Sequence, residues 1–67
     1  MSELRNNLKV LRAERGMTQA DLAAAVSVSR KTINTIENRV FVPSTVLALR
    51  LADVLHVSVH DIFELED

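Results

Sequence analysis

The 67 residues include no cysteine, tryptophan or tyrosine, and only one glycine and one proline. Without cysteine, neither a disulfide nor a zinc–thiolate site can staple so small a chain. Gly16 and Pro43, each alone of its kind, leave no room for a flexible linker, a low-complexity tract or a glycine-rich phosphate loop. No apolar run approaches the roughly 18 residues of a membrane span, and the opening MSELRNNLKV lacks a signal-peptide core. These absences lead to the expectation of a soluble, cytoplasmic protein with one domain, residues 1–67. A domain this small buries a modest share of its surface, so helix packing and self-association are the supports left to it.

Catalytic machinery is equally sparse. Serine, histidine and aspartate are all present, but no nucleophile motif joins them. His56 and His60 stand four apart with a helix start at Ser58 between them and no clear third ligand, a poor metal site. No enzymatic activity, metal or cofactor is expected.

What is present is an uneven distribution of charge and a set of helix signals. The formal net charge is −1. Residues 1–50 hold all eight bases (Arg5, Lys9, Arg12, Arg15, Arg30, Lys31, Arg39, Arg50) against four acids (Glu3, Glu14, Asp21, Glu37). Residues 51–67 hold five acids and no base. Such a split suits one basic face for phosphates and an acidic end held away from them.

Five helices fit the punctuation, and no stretch alternates well enough to need a strand. The first runs from about Ser2 to Arg15, with Leu4, Leu8 and Leu11 as its apolar stripe and Gly16 closing it. Thr18 caps the second, with Asp21 at capping-box spacing and Leu22, Ala23 and Val26 facing inward. Ser27 and Val28 make a tight turn. Ser29 caps a third helix that reaches Asn38, with Ile33 and Ile36 inward. Pro43 bars backward extension of the fourth, which Ser44 caps and which buries Leu47, Ala48, Leu51, Val54 and Leu55. Ser58 and Asp61 repeat the capping-box spacing and open a fifth helix carrying Val59, Ile62, Phe63 and Leu65. The expected architecture is an all-α, compact five-helix bundle.

The segment Met17–Asn38 carries the functional signal. On the third helix Arg30, Asn34, Asn38, Lys31 and Thr35 share one polar arc of about 140°, with both isoleucines opposite. The arc holds two cations and no acid. Arg and Lys donate to guanine, Asn pairs with adenine, and the Thr methyl meets the thymine methyl. Two short helices joined by a tight turn are what pushes such a face into the major groove. Arg30, Lys31, Asn34 and Thr35 are the candidate base readers. Helix N-termini also attract phosphate, which points to Thr18, Gln19 and Ser29.

These residues resemble the Cro/phage-repressor-type (Xre) helix-turn-helix regulators of bacteria and phages. The resemblance rests on Leu11-Arg12, on Arg15-Gly16-Met17-Thr18-Gln19, on Asp21-Leu22-Ala23 and Val28-Ser29, and on Thr32-Ile33, Ile36-Glu37-Asn38 and Pro43-Ser44. It covers nearly the whole chain. It implies a lambda-repressor-like DNA-binding domain whose third helix reads bases through Arg30, Lys31, Asn34 and Thr35. It implies that Gln19 braces a phosphate and a side chain of the reading helix, that Asn38 and Arg39 approach the phosphate backbone, and that Arg12 and Glu37 form a structural ion pair. It also implies a homodimer on a palindromic operator, acting as a repressor. Val57, Ile62, Phe63 and Leu65 are the interface candidates, with part of that set belonging to the core.

The sequence departs from the family pattern at Ser27, Arg39 and His56, where glycine often ends a helix in the left-handed conformation. Val40, Val42 and Val46 stand at positions commonly polar in relatives, while Phe41 has a ready role in the core. Partial burial on neighbours accounts for the valines. The alternative is a contact surface for a protein partner. That alternative supports a second functional reading: a protein-interaction module of the same fold, antitoxin-like or an accessory subunit, with little DNA binding.

Overall fold

A computed structural model describes residues 3–66. The order is β1 (Glu3–Asn6), α1 (Leu8–Glu14), α2 (Gln19–Ala25), α3 (Arg30–Glu37), α4 (Thr45–Leu55), α5 (Val59–Ile62) and β2 (Phe63–Glu66). The five expected helices are all there. Leu8, Leu22, Ile33, Ile36, Leu51, Leu55 and Ile62, one or more from each helix, fill a single core. Burial of this apolar face is what holds such short helices, since isolated helices of 7 or 8 residues are unstable in water.

Helix starts follow the local code. Backbone N–H groups of Asp21, Thr32, Leu47 and Asp61 donate to the hydroxyls of Thr18, Ser29, Ser44 and Ser58. Helix ends share one solution as well. Gly16, Ser27, Arg39 and His56 all lie in the left-handed region, at φ 66°, 61°, 62° and 57°. The residue after each donates back five positions: Met17 to Arg12 O, Val28 to Ala23 O, Val40 to Thr35 O and Val57 to Ala52 O. Four Schellman closures therefore end α1 to α4, and glycine supplies only the first.

The structure corrects the expectation at both ends of the chain. The first helix does not run from Ser2 to Arg15: it starts at Leu8, and Glu3–Asn6 is a strand. Ser2 itself lies outside the described residues. The fifth helix stops at Ile62, and Phe63–Glu66 pairs antiparallel with β1 in the register Glu3↔Glu66, Leu4↔Leu65, Arg5↔Glu64, Asn6↔Phe63. Asn6 is the pivot. Its Oδ1 accepts from Leu8 N–H (3.1 Å) and its Nδ2 donates to Ile36 O (3.0 Å), while Asn7 N–H donates to Ile62 O (2.8 Å). These bonds satisfy groups that a continuous helix would have used internally, so the chain leaves the helix and closes its two ends on each other.

Phe41 is the other correction. It is exposed, as are Val40, Val42 and Val46, so neither its core role nor partial burial of the valines holds. Val40 and Phe41 both donate their N–H to Thr35 O (2.9 and 3.2 Å), which pins this loop to the outside of α3.

Ser27 offers a direct measure of strain at these ends, because its exposed side chain makes no hydrogen bond among the described residues. A left-handed non-glycine residue costs on the order of 1 kcal/mol. Ser27→Gly is expected to raise the melting temperature by about 4 °C, read by circular dichroism. An unchanged or lower midpoint would show that the turn carries no strain.

Candidate nucleic-acid interface

The helix-turn-helix is held by one polar node. Arg12 Nε donates to Glu37 Oε2 at 2.7 Å and Nη2 to Oε1 at 3.3 Å, while Nη1 donates to Met17 O at 2.8 Å. Gln19 Nε2 adds a bond to Glu37 Oε1 at 3.1 Å. The side chains are 13% and 3% exposed for Arg12 and Glu37. The hydrogen bond to Glu37 raises the Arg12 pKa against the desolvation that lowers it. One carboxylate at the end of α3 thus ties down α1, the turn after it and the first residue of α2.

Beyond this anchor the polar arc of α3 is open. Arg30, Lys31 and Asn34 are exposed and, with Gln19, line one shallow hollow. Neither Arg30 nor Lys31 makes an ion pair among the described residues. Thr35 is half-buried, and its hydroxyl proton is engaged within the helix, 3.0 Å from both Lys31 O and Thr32 O. Asn38 Nδ2 donates to Asn34 O at 2.9 Å.

The two helix N-termini differ. At α2 the position is filled from within: Thr18 N–H donates to Asp21 Oδ2 (2.9 Å), and this bond, then the Thr18 hydroxyl, pulls the Asp21 carboxyl below its ordinary pKa. A phosphate near Thr18 would meet that carboxylate. At α3 the first turn has no acid, and Ser29 caps with a hydroxyl shared with Thr32. The dipole field there is unopposed and adds to Arg30 and Lys31.

The acidic end is not held away from this face. Glu66 Oε1 accepts from Arg39 Nη2 at 2.7 Å, and Glu64 pairs with Arg5 at 3.5 Å. Glu3 and Glu66 stand directly opposite on the sheet, a repulsive arrangement that Arg39 relieves. The bond to Glu66 raises the Arg39 pKa and lowers that of Glu66. Arg39, the expected phosphate contact, is therefore already engaged by the chain's own carboxylate, which sequence spacing could not reveal. Of the interface candidates, Ile62 and Phe63 are buried in the protomer's own core and have no surface to offer, whereas Leu65 is 68% exposed and Val57 half-buried.

Comparison with known proteins fits this geometry. A helix-turn-helix family model matches residues 8–62. The chain belongs to the Xre/Cro-type helix-turn-helix family. It is 44% identical over 64 residues to an uncharacterised helix-turn-helix transcriptional regulator of Methanocaldococcus jannaschii, covering 96% of this chain and 97% of that one. The Bacillus subtilis regulator YgzD, also uncharacterised, is 38% identical over 64 residues with the same coverage. Among solved structures, the restriction-modification controller protein C.AhdI of Aeromonas hydrophila superposes with a TM-score of 0.76 at 28% identity, over 81% of this chain and 82% of that one. Xre/Cro-type proteins are DNA-binding transcription regulators rather than enzymes. No helix among the described residues is long and apolar enough to cross a membrane.

Two outcomes follow for this Xre/Cro-type domain. Glu37→Ala leaves the Arg12 guanidinium unpaired and is expected to cost about 3 kcal/mol, lowering the melting temperature by more than about 10 °C. An unchanged melt with altered sequence preference would refute a structural role. Glu66→Gln releases Arg39 and is expected to tighten DNA binding about two-fold in a titration, a gain absent in an Arg39→Ala background. An equal gain in that background would mean that Glu66 acts only through overall charge.

Proposed function

We propose that residues 1–67 act as one cytoplasmic, sequence-specific DNA-binding domain that represses transcription as a homodimer on a palindromic operator. The observation that carries this reading is the open face of α3, where Arg30, Lys31 and Asn34 are exposed and free of acids beside Gln19. Arg30 and Lys31 donate to guanine edges, Asn34 pairs with adenine, and Thr35 contributes its methyl. Ser29 and Asn38 approach phosphate, and Gln19 does so from α2; Thr18, whose N–H is already taken by the Asp21 carboxylate, is the poorer site. Arg39 joins them when a phosphate displaces Glu66. Occupancy of a promoter is sufficient for repression.

One domain of this size makes too small an interface for tight sequence-specific binding, and pairing two half-sites about one helical turn apart overcomes that. Support for a twofold partner comes from the outer side of α4. Val46 and Leu49 are exposed and line a shallow apolar depression with Val57 and Val59. We place the dimer contact there, with Val57 as the one interface candidate that lines it; Leu65 is exposed on β2, outside its lining. A protein-interaction role with little DNA binding is not favoured by the relatives, which are described as transcriptional regulators.

The test is a random-duplex selection with the purified protein, repeated with Arg30→Ala/Lys31→Ala. An enriched inverted repeat that the double variant fails to select is expected. Failure to enrich any sequence at low salt would overturn the reading and leave a protein partner as the function.

A further inference from the structure

The loop after α3 breaks a pattern that the other helix ends keep. In each Schellman closure the residue following the left-handed position is apolar, and three of the four, Met17, Val28 and Val57, pack on the core. Val40 holds the same position and is 77% exposed, with Phe41 beside it at 47%. The loop is not loose, since both backbone N–H groups are fastened to Thr35 O. Its apolar surface is therefore held rigidly outward, at a cost that the protomer's own packing does not offset.

Its position says what would cover it. Val40 and Phe41 share one hollow with Lys31, Thr32 and Thr35 of α3 and with the Ser29 cap. The hollow is continuous with the reading face through Lys31, which also lines the hollow beside Gln19. Its apolar part consists of Val40 and Phe41, and beside them stands Thr35, whose hydroxyl is engaged by helix carbonyls. A cation stands at its rim. The ligand that would meet a cation and an apolar notch side by side, on the flank of a helix in the major groove, is DNA, whose one apolar group on a base edge there is the thymine 5-methyl.

We propose that Val40 and Phe41, with Thr35, form a thymine-methyl pocket that makes this loop a specificity determinant. The proposal rests on α3 entering the major groove and extends into the loop the thymine contact assigned above to Thr35 alone. Burying one methyl corresponds to about a four-fold preference for thymine over uracil.

The experiment uses the operator obtained by selection. Each thymine is replaced singly by uracil, which removes only the methyl, and binding is read by fluorescence anisotropy. For the wild-type chain a loss of about four-fold is expected at one or two thymines per half-site. In Val40→Ser and in Phe41→Ser, each confirmed folded by circular dichroism, the loss at those positions should vanish while the rest of the profile stays. Phe41→Leu, which keeps an apolar side chain, should retain part of it. A flat uracil profile, or one unchanged in all three variants, overturns the pocket while leaving helix α3 as the reader. A chain that binds no operator at all overturns both readings, and the exposed loop then becomes the first surface to probe for a protein partner.

Discussion

Everything functional in this chain hangs on where the Glu37 carboxylate is held. Glu37 is the last residue of α3, and it accepts from Arg12 on α1 and from Gln19 at the start of α2. Arg12 in turn reaches Met17 O, so the turn between α1 and α2 is fixed by the same guanidinium. Desolvating two charges costs several kcal/mol, and the pair is retained where geometry and additional hydrogen bonds offset that cost. Here the offset is nearly complete: no buried side-chain N or O atom among the described residues lacks a partner. The node contributes direction more than net stability. Apolar contacts at Ile33 and Ile36 keep α3 on the core, but they tolerate sliding and rotation. A bidentate contact at one end does not, and it sets which residues the free end of α3 presents.

The helix ends extend this logic. Three of the four left-handed positions carry a side chain that raises their energy. In small domains, whose stability is only on the order of 5–10 kcal/mol, such strain persists where the residue has other work or the surrounding structure over-determines it. Arg39 shows the first case. Glycine there would relax the backbone and also remove the cation that sits against Glu66 and Glu3. The backbone strain at the end of the reading helix is thus coupled to the closing of the sheet.

How legible each part was follows from how local its cause is. The N-caps at Thr18, Ser29, Ser44 and Ser58 stand in the sequence because a cap involves residues three apart. The left-handed ends at Ser27, Arg39 and His56 could be placed because helix periodicity stops there and the family resemblance implies glycine at such ends. The four-residue strands could not be seen: each is too short to show alternation, and each needs a partner some sixty positions away. The Arg39–Glu66 bond depends on that register and was hidden with it. Phe41 misled for a different reason. An apolar residue reads as core in any composition argument, and only the folded loop shows it facing solvent. For the interface, the polar arc of α3 was legible from spacing, whereas the Arg12–Glu37 pair came from family resemblance and was then located by geometry.

The net charge of −1 is unusual for a DNA-binding domain, and the ion pairs give it meaning. Arg5, Arg12, Arg15 and Arg39 are each engaged by an acid of the same chain. Among the described bases only Lys9, Arg30, Lys31 and Arg50 stand outside such pairs, and two of these four lie at the start of α3. Phosphate contacts supply affinity without regard to sequence and make binding fall with salt. A chain that keeps few free cations gives up much of that non-specific affinity. In the proposed complex, what remains falls on base edges, where a correct contact is worth about 1–3 kcal/mol of discrimination. On the proposed reading, few free cations and a focused α3 act in one direction, toward a high ratio of specific to non-specific binding rather than toward high affinity as such. The proposed homodimer would supply tight binding through a second copy, and the apolar surface exposed on α4 is the place proposed for it.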